Sequence, residues 1–305
     1  PNTEFESLSW EILDAIKKDA NKIKKIGRVS IDLRRDLEDG TTKRKQFSDD
    51  NKKTITAANV EELTIEYGTI KCKDLDFGDG LKKLILHKCD LSEFDKLKVN
   101  KNTLLDLSFS INSYKSSDKN LDFSEINKLS IIDWNFYGYK SVKFNPNAEE
   151  LNLSGTGNIP FGEKFDFSHV KKLFLMYTDW LSGDLDFSGI EELNLNTTDL
   201  SKVTSIKFNP NAKEVYLSVA DLSNIKSFKG KVVKFFGAKN LSGDLDFSEI
   251  EELDLRYTDL SKVTSIKFNP NVKTIDLHGA ILPNIKSFRA KVVNWEETQN
   301  LSGDL

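Results

Sequence analysis

The sequence predicts an α/β repeat solenoid: a helical cap over residues 1–54, then stacked units over residues 55–305 that each lend one short strand to a parallel sheet. Three observations carry this. Laying residues 181–240 over 241–300 leaves about 40 of 60 positions identical, with LSGDLDFS, TDLSKVTSIKFNPN and NIKSF intact. A shorter frame runs inside and beyond those blocks, with apolar or small residues at positions one, four, six, nine and eleven. The residues ahead of it have helical rather than repeat spacing.

In the leading segment Phe5, Leu8, Ile12, Ile16, Ala20 and Ile23 recur three and four residues apart, so 4–25 reads as an amphipathic helix. Thr3 with Glu6 forms a capping box, and Gly27 is the expected stop. Lys17, Lys18, Lys22, Lys24 and Lys25 fall on its solvated side. Val29, Ile31 and Leu33 alternate like an edge strand, and the polar run 37–53 reads as a loop. A cap of this kind shields the core of a first repeat.

The frame begins at Val60, Leu81, Asn102, Ile126, Ala148, Val170, Ile190, Ala212, Gly230, Ile250, Val272 and Ala290, about twelve units spaced 18 to 24 residues apart. Apolar residues at positions four and six, with polar neighbours, are the period-two mark of a short strand. A single strand in each unit has no partner there, so it pairs with the neighbouring units. An aromatic on each return stretch (Phe77, Phe123, Phe144, Phe167, Phe187, Phe208, Phe228, Phe247, Phe268, Phe288) predicts an internal spine. The FNPN and DFS segments predict chain reversals, since Asn, Pro, Asp and Ser supply local hydrogen bonds and a fixed φ. LSGDL recurs at 181–185, 241–245 and 301–305, which predicts that the array runs on past Leu305.

Of the 305 residues 38% are hydrophobic and 30% charged, below the apolar share of a compact globular domain. No run approaches the ~20 apolar residues of a membrane span. A net charge of −4 argues against a nucleic-acid partner. Three histidines (His87, His169, His278) lack metal-ligand spacing, and Cys72 and Cys89 read as free thiols. The Asp pairs of GDLDF (Asp184, Asp186; Asp244, Asp246) lack the glycine-rich calcium nonapeptide and read as turn carboxylates. There is no nucleophile–base set and no phosphate loop. The expectation is a non-enzyme without cofactor or metal.

The pattern L-x-x-L-x-L-x-x-[T/C/A]-x-L, cleanest at Leu81, Leu84, Leu86, Cys89 and Leu91, resembles the leucine-rich repeat family in its short bacterial form. The resemblance implies a horseshoe with a concave parallel sheet and a short 3-10 or irregular convex side. At position nine, often Asn in the family, stand Gly68, Cys89, Thr156, Thr178, Thr198, Ala220, Thr258 and Ala280, so an asparagine ladder is replaced by small residues.

In that family positions five, seven and eight point onto the concave face. All nine such pairs differ between the two 60-residue blocks, against about 11 of the other 51. Exposed positions outside the strand, such as Lys202/Lys262, Thr204/Thr264, Lys207/Lys267 and Glu191/Glu251, are unchanged. This divergence predicts a ligand-shaped face. Its residues are Ile132, Phe174, Met176, Tyr177, Asn194, Asn196, Tyr216, Val219, Phe236, Arg256, Tyr257 and His278, apolar at the centre and polar toward the C-terminal flank. The expected role is a protein-interaction module with a protein partner, a host protein being one candidate. The internalin-like resemblance implies a secreted or cell-surface bacterial adhesin or effector. The alternatives are the targeting repeats of a ligase-type effector with its catalytic part beyond residue 305, and a structural surface repeat without specific ligand.

Overall fold

The computed structural model describes residues 11–19, 26–36, 42–91, 97–108, 120–134, 136, 139–157, 159–161, 165–282 and 291–299. The chain is a repeat solenoid of stacked parallel-sheet coils with few helices. It divides into two units, Pro1–Asn152 with Ile159–Phe165, and Leu153–Asn158 with Asp166–Leu305.

In the first unit Ile26–Asp32, Val60–Glu66, Lys83–His87, Leu104–Asp106, Lys128–Ser130 and Glu150–Asn152 pair in that order, all parallel. In the second the order is Lys172–Phe174, Glu192–Asn194, Glu214–Tyr216, Ser227–Lys234, Gly243–Asp254, Thr274–Asp276 and Val292–Asn294. Within each unit the paired strand positions thus sit in register with their counterparts one coil away; Leu193 lies beside Leu173 and Val215. Leu193, Leu195, Val215, Leu217, Leu253 and Leu255, at positions four and six, are buried, while positions three, five and seven of the same coils keep access to solvent.

The return stretches correct one expectation. They are irregular in places, such as 72–82 and 165–170, but elsewhere they form ladders: Asn120–Phe123 pairs with Ser141–Phe144, Gly183–Phe187 with Val203–Phe208, and Gly243–Phe247 with Val263–Phe268, each in parallel. No 3-10 helix occurs among the described residues. The aromatic spine lies beneath these ladders. Phe123 meets Phe144 at 5.8 Å between ring centroids. In the second unit Phe167–Phe187, Phe208–Phe228, Phe228–Phe247 and Phe247–Phe268 follow at 5.6 to 6.2 Å. Phe268 is half-buried, and Phe288 lies outside the described residues.

The leading segment differs more. Of the expected helix, α1 spans Glu11–Asp19, with Leu13 and Ile16 buried and Lys17 and Lys18 exposed. Phe5, Leu8, Ala20, Ile23, the Thr3–Glu6 box, and Lys22, Lys24 and Lys25 lie outside the described residues. Gly27 is not a helix stop: it sits inside the strand Ile26–Asp32, where Val29 and Ile31 are buried as an edge strand requires. Nor is 37–53 a loop throughout. Thr42–Arg44 and Gln46–Ser48 are strands, and α2 spans Asp49–Ala57. Ser48 caps α2: its Oγ accepts the Asn51 N–H, and the Asn51 side chain accepts the Ser48 N–H at 2.9 Å.

Candidate functional site

A recurring turn shapes the outward face. In seven coils among the described residues the N–H of position nine donates to the carbonyl of position six, as Thr198 does to Leu195 at 3.2 Å and Thr258 to Leu255 at 3.1 Å. Position eight, the third residue of this turn, has positive φ wherever it is described: Tyr67, Lys88, Asp133, Gly155, Tyr177, Thr197, Val219, Gly237, Tyr257, Gly279 and Glu297, between 53° and 66°. That is the type II arrangement, which glycine or asparagine adopts without strain. For Val219 and Thr197, β-branched, it is a steric outlier. In eight coils among the described residues the N–H of position eight then donates to position seven of the next coil, as from Tyr177 to Asn196 (3.2 Å) and from Tyr257 to His278 (2.9 Å).

Position seven needs a different acceptor for its own N–H, and position five supplies it. The side chains of Asn194, Asp254, Asp276 and Asn294 accept the N–H groups of Asn196, Arg256, His278 and Glu296 at 3.0 to 3.2 Å. Asn196 Oδ1 passes the pattern on by accepting the Ser218 N–H at 2.8 Å. Asn194 and Asn196 therefore serve the backbone. At position nine the threonines are buried and donate to main-chain carbonyls: Thr156 to Leu153, Thr178 and Thr198 to Leu175, and Thr258 to Phe235, at 2.6 to 2.9 Å. A small hydroxyl thus satisfies the carbonyls beneath the turn.

The outward side chains sort into three groups. Ile132 belongs to the first unit and is half-buried; the other eleven predicted residues belong to the second. Phe174, Met176, Tyr216 and Val219 are half-buried, whereas Tyr177, Phe236 and Tyr257 are exposed at 68%, 39% and 51%. Tyr216 donates its hydroxyl to Glu214 (2.5 Å), and Lys234 lies 4.5 Å above its ring while donating to Glu214 Oε1 at 3.0 Å. The hydroxyl of Tyr216 and the ammonium of Lys234 hold the Glu214 carboxyl below its ordinary value. Phe236 meets Tyr257 edge to face at 5.2 Å, and Tyr257 meets His278 at 5.2 Å, with His278 Nε2 2.8 Å from the tyrosine oxygen. Arg256 lies 5.5 Å over Phe236 and holds Asp254 in a fork at 2.9 and 2.7 Å. The ring of Tyr257 rests on Gly279, where a Cβ would come within 2.6 Å of two ring carbons.

Several exposed side chains shared by the two blocks are structural. Thr204 and Ser205 donate to Asp184, and Thr264 and Ser265 to Asp244, at 2.6 to 2.7 Å. Lys207 pairs with Asp186 and Lys213 with Glu191 one coil earlier, as Lys267 does with Asp246 and Lys273 with Glu251. Those positions are tied between coils; the strand face is where the scaffold leaves side chains open to change. The GDLDF carboxylates are occupied by hydroxyls and lysines, and no group of three or more His, Cys, Asp or Glu that could hold a metal occurs among the described residues. Cys72 and Cys89 are buried thiols outside any disulfide, Cys89 lying 3.2 Å from the Ile65 carbonyl oxygen, and burial pushes Cys72 up to about 12. A groove of about 600 Å³ lies away from this face, on the turn Asn269–Pro270–Asn271 beside Glu251, Lys273 and Lys291, and its lining includes no His, Cys, Ser or aromatic.

The DFS and related turns carry a pH dependence. In Asp186, Asp199, Asp246 and Asp259 the hydroxyl and N–H of the serine two residues on hold the carboxyl below its ordinary value. A depressed folded-state value means stability present above about pH 4 and lost as the pH falls through the folded value. Thermal melts from about pH 7 to about pH 2.5 are expected to hold level above about pH 4 and decline below it. Asp186→Asn with Asp246→Asn keeps the turn acceptor, removes the charge, and is expected to flatten the decline. An unchanged acid limb in the double variant counts against this assignment.

The first unit has an outward strand face of its own. There position eight is occupied by Tyr67 and Lys88, with Arg34 stacked 3.8 Å over Tyr67 and Lys88 donating to its hydroxyl at 3.2 Å. Following the frame back to the Val60 and Leu81 units points to Tyr67 and Lys88; the strained φ had no signal in their side chains. Together these features define a parallel β-solenoid repeat protein with a side-chain-bearing strand face. No protein-family profile, curated protein or solved structure matches the chain. Among the described residues no helix is long and apolar enough to cross a membrane.

Proposed function

We propose that this chain is a non-catalytic protein-interaction module of the leucine-rich repeat type, holding a protein partner on the outward strand face of its second unit. One observation carries the reading. Tyr177 and Tyr257 are 68% and 51% exposed on backbone at φ 57° and 54°, where glycine would be relaxed. A left-handed non-glycine residue costs of order 1–2 kcal/mol. Large apolar side chains kept in water at strained positions, with Phe236 edge to face on Tyr257, fit an interface whose aromatic anchors are buried only on binding. The repeat frame and the N-terminal helices α1 and α2 support the leucine-rich assignment, with a secreted or cell-surface bacterial protein as the setting.

The test is quantitative capture. The wild-type chain and a variant with Phe174, Tyr177, Tyr216 and Phe236 changed to Ser are immobilised and exposed to host-cell extracts, and bound proteins are quantified by mass spectrometry. With about 2 kcal/mol per aromatic anchor, the partner is expected to fall by at least about 100-fold. Equal capture by both, with circular dichroism unchanged, overturns the reading.

A further inference from the structure

On the outward faces of the two units the same small assembly is built three times. In each, a cation lies on an aromatic ring and is gripped by a carboxylate from its own or a nearby strand. Arg34 stacks 3.8 Å over Tyr67 and grips Asp32. Lys234 sits 4.5 Å over Tyr216 and binds Glu214. Arg256 sits 5.5 Å over Phe236, forks onto Asp254 and lies 3.6 Å from Asp276. The aromatic face attracts the cation, the carboxylate fixes it, and each contact strengthens the other in a partly dry setting.

A fourth set has the ring and the carboxylates without a Lys or Arg. Tyr257 lies flat on Gly279, half in solvent, and Gly237 leaves no side chain at position eight of the preceding coil. One and two coils further on are His278 and then Glu296 and Glu297, whose side chains are 77% and 71% exposed. Among the described residues only His278 comes within ion-pair distance of those two carboxylates, at 3.9 and 3.6 Å. The charge around the set is predominantly negative. From Glu252 to Glu297 the outward positions three, five, seven and eight carry five carboxylates (Glu252, Asp254, Asp276, Glu296, Glu297) against Arg256 alone.

We infer that Tyr257, Glu296 and Glu297 form the receptor for a basic side chain of the protein partner, with arginine favoured over lysine. A planar guanidinium can stack on the tyrosine ring and reach a carboxylate in a fork, as Arg34 and Arg256 do within the chain; an ammonium offers a point charge alone. This rests on the protein-interaction reading and specifies its partner as cationic at this point.

The probes are fluorescein-labelled peptides Gly-Ser-X-Leu-X-Gly-Ser, with X as Arg, Lys, citrulline or Glu, titrated against the whole chain by fluorescence anisotropy. Citrulline keeps the shape of arginine and removes its charge. The Arg peptide is expected to bind at least tenfold more tightly than the citrulline and Glu peptides, with Lys between. That preference is expected to shrink in high salt. Glu296→Gln with Glu297→Gln is expected to erase the preference, and Tyr257→Ser to weaken the Arg peptide at least fivefold. These side chains are exposed, and an unchanged thermal melt shows that the variants fold.

Equal binding of the Arg and citrulline peptides, an Arg preference indifferent to the Gln pair, or no binding at about 1 mM each overturns the inference. The two proposals fail separately. If the four-residue Ser variant loses its partner while Arg and citrulline peptides bind alike, the interaction face stands and its cationic specificity falls. If capture is unchanged while the Arg peptide depends on Tyr257 and the glutamates, the receptor stands and the wider face falls.

Discussion

Phe235→Ala lowers the unfolding free energy by about 4 kcal/mol, the cost of removing a fully buried aromatic from a packed core. Phe235 is wholly buried and forms a triangle with two spine residues: Phe228 at 4.9 Å, edge to face, and Phe247 at 5.3 Å, with those two 5.6 Å apart. Here one inward residue of the strand face touches the spine of the return side, so its loss empties both layers of the coil. The surrounding rings are themselves buried and cannot collapse into the space without breaking their own contacts. Urea titration checks the size, with an unchanged slope and a lower midpoint. Hydrogen exchange checks the place. In a solenoid each coil leans on its neighbours, so protection falls most between Phe228 and Phe268 and least at Lys172–Phe174. A loss below about 1 kcal/mol would mean that this triangle is not the packing element described.

Gly189→Ala is expected to destabilise by at least about 2 kcal/mol, although it adds a single methyl group. A Cβ at this position would stand 1.8 Å from the carbonyl oxygen of Ser168 and 2.9 Å from its carbon, so the obstacle is the backbone of the preceding coil. The counterpart in the next block is Glu249, which stands beside Lys229 in a continuous strand and accepts its ammonium at 2.6 Å. The same frame position is a turn at Gly189 and a strand residue at Glu249. Glu249→Gly therefore loses an exposed ion pair and some chain stiffness, about 1 kcal/mol. Comparing the two thermal melts is decisive: a near-neutral Gly189→Ala would refute the close approach of the coils.

Much of the strand face was legible because inward and outward residues alternate with the period of a strand, and Leu193, Leu195, Val215 and Leu217 left no other way to bury themselves. The return strands were half-legible: Leu185 and Phe187 alternate, while Val203–Phe208 exposes four of its six side chains to some degree and so resembles a turn. α2 was hidden because its sequence, DDNKKTITA, buries only Asn51 and Ile55, and because its capping box uses Asn where the familiar signal is Glu. The strained position eight was illegible for a sharper reason. Its occupants include Tyr, Thr, Val, Lys and Glu, none of which favours positive φ, so only Gly155, Gly237 and Gly279 advertised the turn. Of the face residues, the sequence located the aromatic group but could not separate Asn194 and Asn196, bound to the backbone, from side chains open to a visitor.

The carboxylate–hydroxyl latch between neighbouring return strands has a consequence for how such a chain can grow. Asp184 closes on Thr204 and Ser205, and the next described latch of this kind, Asp244 on Thr264 and Ser265, comes 60 residues later. The array therefore has a phase of three coils as well as a pitch of one. A cassette of three coils can be inserted or deleted with every latch still meeting its keeper. Cutting out the single coil that carries Thr204 and Ser205 would bring Asp184 against a stranger. Duplication in whole cassettes lengthens the scaffold without a new joint to invent, and leaves the strand face as blank type to be reset in each copy.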